Sequence, residues 1–151
     1  MGMRPVTVAD AATISAHRAA TFSGLGLADS ETAAQILRES EPWMERLIAT
    51  GEYIGWVIED GEGVVAGAGI ELRERGPVPG CLRVGRLAHV VNVYTEPRGR
   101  RQGYARRLML QALEWCRENG MDHVTLVPTP EARPLYQSLG FAQTGEMMAL
   151  K

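Results

Sequence analysis

Leu87-Ala88-His89-Val90-Val91-Asn92-Val93-Tyr94-Thr95, then Glu96-Pro97-Arg98-Gly99-Arg100-Arg101-Gln102-Gly103-Tyr104-Ala105, is the stretch on which the reading of this chain turns. Residues 87–95 are nearly continuous in apolar and β-branched side chains, which predicts a central strand covered on both faces. From about Arg101 to Asn119 the pattern changes. Ala105, Leu108, Met109, Ala112 and Cys116 recur at three-and-four spacing, and Gly120 supplies a helix stop. Across the junction of strand and helix lie five arginines in ten residues, Arg98, Arg100, Arg101, Arg106 and Arg107, with glycines among them. A helix N-terminus offers unpaired N–H groups and partial positive charge, which suits phosphate oxygens. Gly103 and the small Ala105 let such oxygens approach the main chain. The stretch therefore reads as a pyrophosphate cradle, yet it has neither the Gly-Lys-Ser/Thr of a P-loop nor the Gly-x-Gly-x-x-Gly of a dinucleotide-binding turn.

Working outward, Met3–Val6 is β-prone, and Thr7 with Asp10 marks the start of a helix over about Val8–Thr21. A second helical stretch from about Ser30 places Ala33, Ile36, Leu37, Met44, Leu47 and Ile48 on one face, with Pro42 expected to split or kink it. Tyr53–Glu59 and Val64–Glu71 read as strands joined by Asp60-Gly61-Glu62-Gly63, a hairpin signal. Arg73–Arg83, with two prolines and two glycines, reads as a loop. His123–Val127 is a strand, Pro130–Leu139 a short helix ended by Gly140, and Phe141–Thr144 and Met147–Leu150 are expected as closing strands. Trp43, Trp56 and Trp115, like all seven methionines, including Met147 and Met148, read as packing groups.

At 151 residues, 45% hydrophobic, the chain is expected to be one mixed α/β domain over 1–151 with a core of its own. Its most apolar run, Val64–Ile70, is far short of the ~20 residues that cross a bilayer, and the first ten residues lack an apolar signal core. Cys81 and Cys116 lack the spacing of a zinc site and read as reduced thiols of a cytoplasmic protein, Cys116 facing the core. The net charge of −2 hides an asymmetry: residues 1–80 carry 6 Arg against 12 acids, whereas residues 81–151 carry 9 Arg and Lys151 against 6 acids. Something anionic is therefore handled in the second half. A nucleic-acid surface is disfavoured by the isoelectric point near 5.9, the single lysine and the lack of interleaved aromatics beyond Tyr104.

The order Arg100-x-x-Gly103-x-Ala105 after a strand resembles the acyl-CoA signature of the GNAT superfamily of N-acetyltransferases. Ala132-Arg133-Pro134-Leu135-Tyr136-Gln137-Ser138-Leu139-Gly140-Phe141 is similar to that family's late Ala-x-x-Leu-Tyr-x-x-x-Gly-Phe segment. The element order β-α-α-β-β-β-α-β-α-β-β fits the family over the whole chain and implies a mostly antiparallel twisted sheet flanked by helices.

The resemblance further implies acetyl-CoA as co-substrate, with no metal and direct transfer to a primary amine in a ternary complex. The strand at Asn92–Thr95 should splay from its neighbour, so that main-chain groups of Val93, Tyr94 and Thr95 hold the pantetheine arm and the thioester carbonyl. An N–H there can stabilise the developing oxyanion. The main-chain amides of Arg101, Gln102, Gly103, Tyr104, Ala105 and Arg106, next to Arg100, should hold the pyrophosphate. Tyr136 matches the general acid that protonates the departing thiolate. His89 stands where some members place a base. Its alternative reading is a satisfied histidine on an apolar strand. Thr129 stands where the family often has a pantetheine-contacting Asn, and Arg101 replaces a common glycine of the phosphate loop. Residues about 21–50 should shape the acceptor side, and the acidity of the first half hints at a cationic small-molecule or peptide acceptor. A homodimer is the family habit. The rival is a member of the same fold that binds acyl-CoA as a sensor without turning it over; the presence of Tyr136 favours an enzyme.

Overall fold

The computed structural model describes residues 2–145 and 147–151. Strand β1 (Gly2–Pro5) leads through a single 3₁₀ turn (Val8–Asp10) into helix α1 (Ala11–Gly24). The expected first helix thus begins one turn later in α form. Asp10 anchors this entry, because its carboxylate accepts from the Thr7 N–H at 2.8 Å and from the Arg4 guanidinium at 2.8 and 2.9 Å.

Helix α2 runs unbroken over Ser30–Thr50, with the Asp29 side chain capping it by accepting from the Thr32 N–H and Gly51 ending it in the left-handed region. Pro42 therefore neither splits the helix nor ends it. Proline removes one backbone donor, but Met44 and Leu47 one turn further on are buried against Ala11, Ile14 and Tyr53, and that burial outweighs the local cost.

Strands β2 (Tyr53–Asp60), β3 (Gly63–Arg75), β4 (Gly85–Thr95) and β5 (His123–Leu126) follow, with α3 (Tyr104–Glu118) between β4 and β5 and α4 (Arg133–Ser138) after β5. The sheet order is β1-β2-β3-β4-β5, antiparallel except for the parallel β4–β5 pair. β3 extends to Arg75, so the segment expected as a loop starts later, and inside it Val78 and Cys81 form a two-residue bridge.

The two closing strands expected at Phe141–Thr144 and Met147–Leu150 are not formed among the described residues, which leaves β5 at the edge of the sheet. The left-handed Gly140 and Gly145 bracket the first of these segments. Neither Phe-Ala-Gln-Thr nor Met-Met-Ala-Leu has the alternation that holds a strand in register, and the second has no β-branched or aromatic residue. Met147 and Met148 are 97% and 94% exposed and are not packing groups, whereas Met44 and Met109 are fully buried.

Side chains on a strand alternate between faces, and the two faces of β4 meet different layers. Ala88 and Val90 join Trp56, Ile58, Val65, Ile70, Leu108, Met109, Ala112 and Cys116 in the larger core under α3. Val91 packs instead with the α1–α2 cluster, and His89, between Ala88 and Val90, points to that side.

Candidate active site

The cleft is built by an interruption in β4. On its β3 side Val91 faces Gly69 and Tyr94 faces Gly67, so β4 carries one extra residue between these pairs. Asn92 absorbs it with φ +55°, a left-handed conformation that Asn tolerates better than most side chains. On the other side, β4–β5 pairing covers only Leu87↔His123 to Val90↔Leu126. Beyond Val90 the two strands diverge, leaving the main chain of residues 91–95 without a strand partner on that edge. This is the splay that the family resemblance implies, and it brings Val93, Tyr94 and Thr95 to one wedge. Val93 turns its side chain into the larger core, Tyr94 stacks on His17 of α1 with ring centroids 4.6 Å apart, and the Thr95 carbonyl accepts from Arg100 Nε at 3.2 Å.

The wedge opens onto the arginine- and glycine-rich loop before α3. Pro97–Gly99 forms a 3₁₀ turn, and α3 begins at Tyr104, three residues later than the periodicity predicts. Gly103 is the N-cap with φ +77° and supplies no side-chain acceptor, so the amides of Tyr104, Ala105 and Arg106 face outward without intrahelical partners. Arg107 is the first residue whose N–H bonds back, to the Gly103 carbonyl at 3.1 Å. Arg101 takes φ +65°. This is a left-handed conformation that a residue with a Cβ rarely adopts. Arg101 and Gly103 thus place two left-handed residues just before the first turn of α3.

Two of the arginines have partners. Arg98 is held by Asp60 at 3.2 Å and Glu62 at 2.8 Å, and Arg106 donates to Ser138 Oγ at 2.7 Å. Gln102 donates to the Arg98 carbonyl and accepts from the Tyr104 hydroxyl, which stiffens the loop from within.

Tyr136 lies on α4, 7% exposed, edge-on to Phe141 with centroids 6.0 Å apart. Burial pushes its phenol above the ordinary tyrosine value, so it is protonated throughout the neutral range. Its hydroxyl makes no hydrogen bond to a described residue, and the ring borders a cleft of about 270 Å³ lined by Val124–Pro128 of the β5 end and by Arg133 and Phe141. Thr129 caps the turn before α4: its carbonyl accepts from the N–H groups of Ala132 and Arg133, and its hydroxyl also accepts from Ala132 at 3.3 Å.

His89 sits across the sheet from this group. Its Nδ1 is 2.8 Å from Thr125 Oγ1 on β5, and on β3 its cross-strand partner is Glu71, whose carboxylate binds Arg73. Burial first, then Arg73, pull the imidazole below its ordinary value against the opposing pull of Glu71, so it is neutral at pH 7. No hydrogen bond joins His89 to Tyr136 among the described residues; the sheet separates a neutral imidazole on one face from a neutral phenol on the other.

Three further groups escaped the sequence reading. His17 Nε2 lies 3.1 Å from Glu96 Oε1, which ties α1 to the end of β4; burial dominates this imidazole and lowers its basicity, while Glu96 opposes that shift. Asn92 meets Arg18 and Tyr53. The one signal available for these contacts was an Asn inside an otherwise apolar strand.

Residues 25–141 match the model of the acetyltransferase (GNAT) family. The chain belongs to the GNAT acetyltransferase family. A solved GNAT acetyltransferase from Ralstonia eutropha superposes with a TM-score of 0.89 at 30% identity, covering 99% of this chain and 97% of that one. A predicted acetyltransferase from Clostridium acetobutylicum, solved with acetyl-CoA, has the same fold with a TM-score of 0.85 at 22% identity over 99% and 94% of the two chains. Among curated relatives, an aminoglycoside N(6')-acetyltransferase of Serratia marcescens is 36% identical over 38% of this chain and 42% of its own length. A probable glucosamine 6-phosphate N-acetyltransferase of rice is 33% identical over 47% and 48%. The chain thus spans less than half of the length of these relatives. The GNAT match covers both the wedge and the phosphate loop.

Proposed function

We propose that this GNAT protein transfers an acetyl group from acetyl-CoA directly to a primary amine within a ternary complex. The observation that carries the reading is the continuity of an unpaired β4 edge after Val90 with the uncapped N-terminus of α3. One extended ligand ending in a pyrophosphate fits that path: an amide-bearing arm along Val93–Thr95 and phosphates at the amides of residues 101–106. The Clostridium neighbour solved with acetyl-CoA and the two curated amine acetyltransferases support the same assignment.

In this reading a β4 main-chain N–H at Val93 donates to the thioester carbonyl oxygen, an interaction that strengthens as negative charge gathers there. The amine nitrogen forms the new C–N bond and gives up a proton, and the C–S bond breaks. Neutral His89, with Nδ1 engaged by Thr125, receives the amine proton at Nε2, directly or through water. Tyr136 donates its phenolic proton to the departing sulfur. Arg100, Arg101, Gln102, Gly103, Tyr104, Ala105 and Arg106 hold the pyrophosphate, and the role of Thr129 is to orient α4 and so to place Tyr136. The protein acts without a metal and with no acetyl group passing onto a side chain.

The test is thiol release from acetyl-CoA across a panel of primary amines, with double-reciprocal kinetics. Intersecting lines and acetylated amine are expected. Parallel lines with an isolable acetyl-enzyme would overturn direct transfer, and binding of acetyl-CoA with no turnover on any amine would favour the sensor reading.

A further inference from the structure

We infer that Arg18 recognises an anionic group on the amine acceptor, so that the substrate is a primary amine bearing a carboxylate or phosphate; this rests on the amine-transfer reading above.

Arg18 is half-buried in α1 and faces the β4 bulge, where its guanidinium donates to Asn92 Oδ1 at 3.2 Å. Its guanidinium carbon lies over the ring of Phe22, one turn on, 5.4 Å from the centroid, and over the ring of Trp43 of α2, 5.5 Å from the centroid. Such cation–π contacts hold the guanidinium near the rings without neutralising its charge. Among the described residues no carboxylate pairs with Arg18, although Arg4, Arg73, Arg83, Arg98 and Arg117 each bind one. Glu71 of β3 pairs with Arg73, and Glu96 at the end of β4 pairs with His17.

A guanidinium carries five N–H donors in a planar fork that matches two oxygens of a carboxylate or phosphate. Here one nitrogen is spent on Asn92, and among the described residues no acid answers the others. The position selects the substrate. Asn92 immediately precedes Val93, where the wedge holds the acyl group, so an anion on Arg18 and an amine at the bulge belong to one small molecule, their charges a few bonds apart. The acidity of the first half of the chain suggested a cationic acceptor; the local charge facing the bulge has the other sign. A polyamine would bring a second cation onto Arg18 and is disfavoured.

The experiment uses acceptors matched except for the anion: an amino acid against its carboxamide, and an amino-sugar phosphate against the unphosphorylated sugar. Thiol release is measured for the wild type, Arg18→Gln and Arg18→Lys, each checked by thermal melting with and without acetyl-CoA. The wild type should favour the anionic member of at least one pair by tenfold or more in kcat/KM, carried by KM. Which pair responds separates carboxylate from phosphate. Arg18→Gln should raise KM for that anionic acceptor about tenfold to a hundredfold and leave its neutral partner unchanged. Arg18→Lys should recover part of the loss. In the wild type, at saturating acetyl-CoA, acetate or inorganic phosphate should inhibit competitively against the amine, which tests the site even if a variant does not fold.

Equal use of both members of every pair overturns the inference. So does an Arg18→Gln variant that slows anionic and neutral acceptors alike, which would mark Arg18 as a brace for the bulge. Absence of thiol release with every amine would overturn the acetyl-transfer reading instead; calorimetric titration of the same pairs then decides, and equal affinity for the two members overturns the role of Arg18.

Discussion

Tyr136 and His89 owe their proposed roles to opposite effects of burial. Burial raises the phenol and lowers the imidazole, so both are neutral at pH 7, one holding a proton to give and the other free to take one. As pH falls below the ordinary histidine value near 6.5, His89 gains a proton and the rate should fall, giving an acidic limb. Tyr136→Phe is expected to lower kcat by about 10²-fold or more, and His89→Ala should flatten the acidic limb; steady-state pH profiles check both. Arg101 makes a prediction about stability. A non-glycine residue in the left-handed region costs about 1–2 kcal/mol, so Arg101→Gly should raise the melting temperature by a few degrees. It should also weaken acetyl-CoA binding by removing a loop charge, and both are read in one melting series with and without the ligand. Gly103→Ala, with φ +77° and open space around the added methyl, should lose stability through backbone strain alone.

At the scale of elements, the β1–α1 junction rests on one nearly buried carboxylate. Arg4 holds Asp10 below the usual carboxylate value, with the Thr7 N–H adding to the effect and burial opposing it. A lowered carboxyl value stabilises the fold above the unfolded value near 3.9, and this contribution is lost as pH falls through the folded value. Arg4→Met should therefore cost about 1–2 kcal/mol at pH 7 and move the acid unfolding midpoint upward, measured by melts between pH 3 and 7.

Elements with a strong period or a turn signal were legible in the sequence: β2–β3 through Asp60-Gly61, β4 through its apolar run, α3 through its stripe and Gly120. Pro42 misled because a local rule was overridden by packing at Met44 and Leu47. The closing strands misled because Phe141–Thr144 and Met147–Leu150 are short and lack the period-two alternation that fixes a strand in register. In the candidate site, the strand–loop–helix order around Gly103 was legible because consecutive residues carry it. The Arg18–Asn92 and His17–Glu96 contacts were not, because each joins residues more than seventy positions apart.

For the whole molecule the decisive feature is the short β4–β5 ladder. Four residue pairs join β5 to the rest of the sheet, and beyond them the strands part. An acyl-CoA arm in that parting would act as a substitute strand, taking hydrogen bonds that a neighbouring chain segment would otherwise take. The co-substrate is then structural mortar between the two sides of the sheet as well as a reactant. At a concentration 100-fold above Kd it should add about 2.7 kcal/mol to the stability of the whole protein. Hydrogen exchange should show where that energy goes, with the amides of residues 91–95 and 101–106 slowing far more than those of β1 and β2. A uniform slowing would mean that the ligand binds without bridging the strands. If the bridging holds, the protein's persistence against heat and proteases tracks the acetyl-CoA supply around it, and the sheet serves as a gauge of its own substrate.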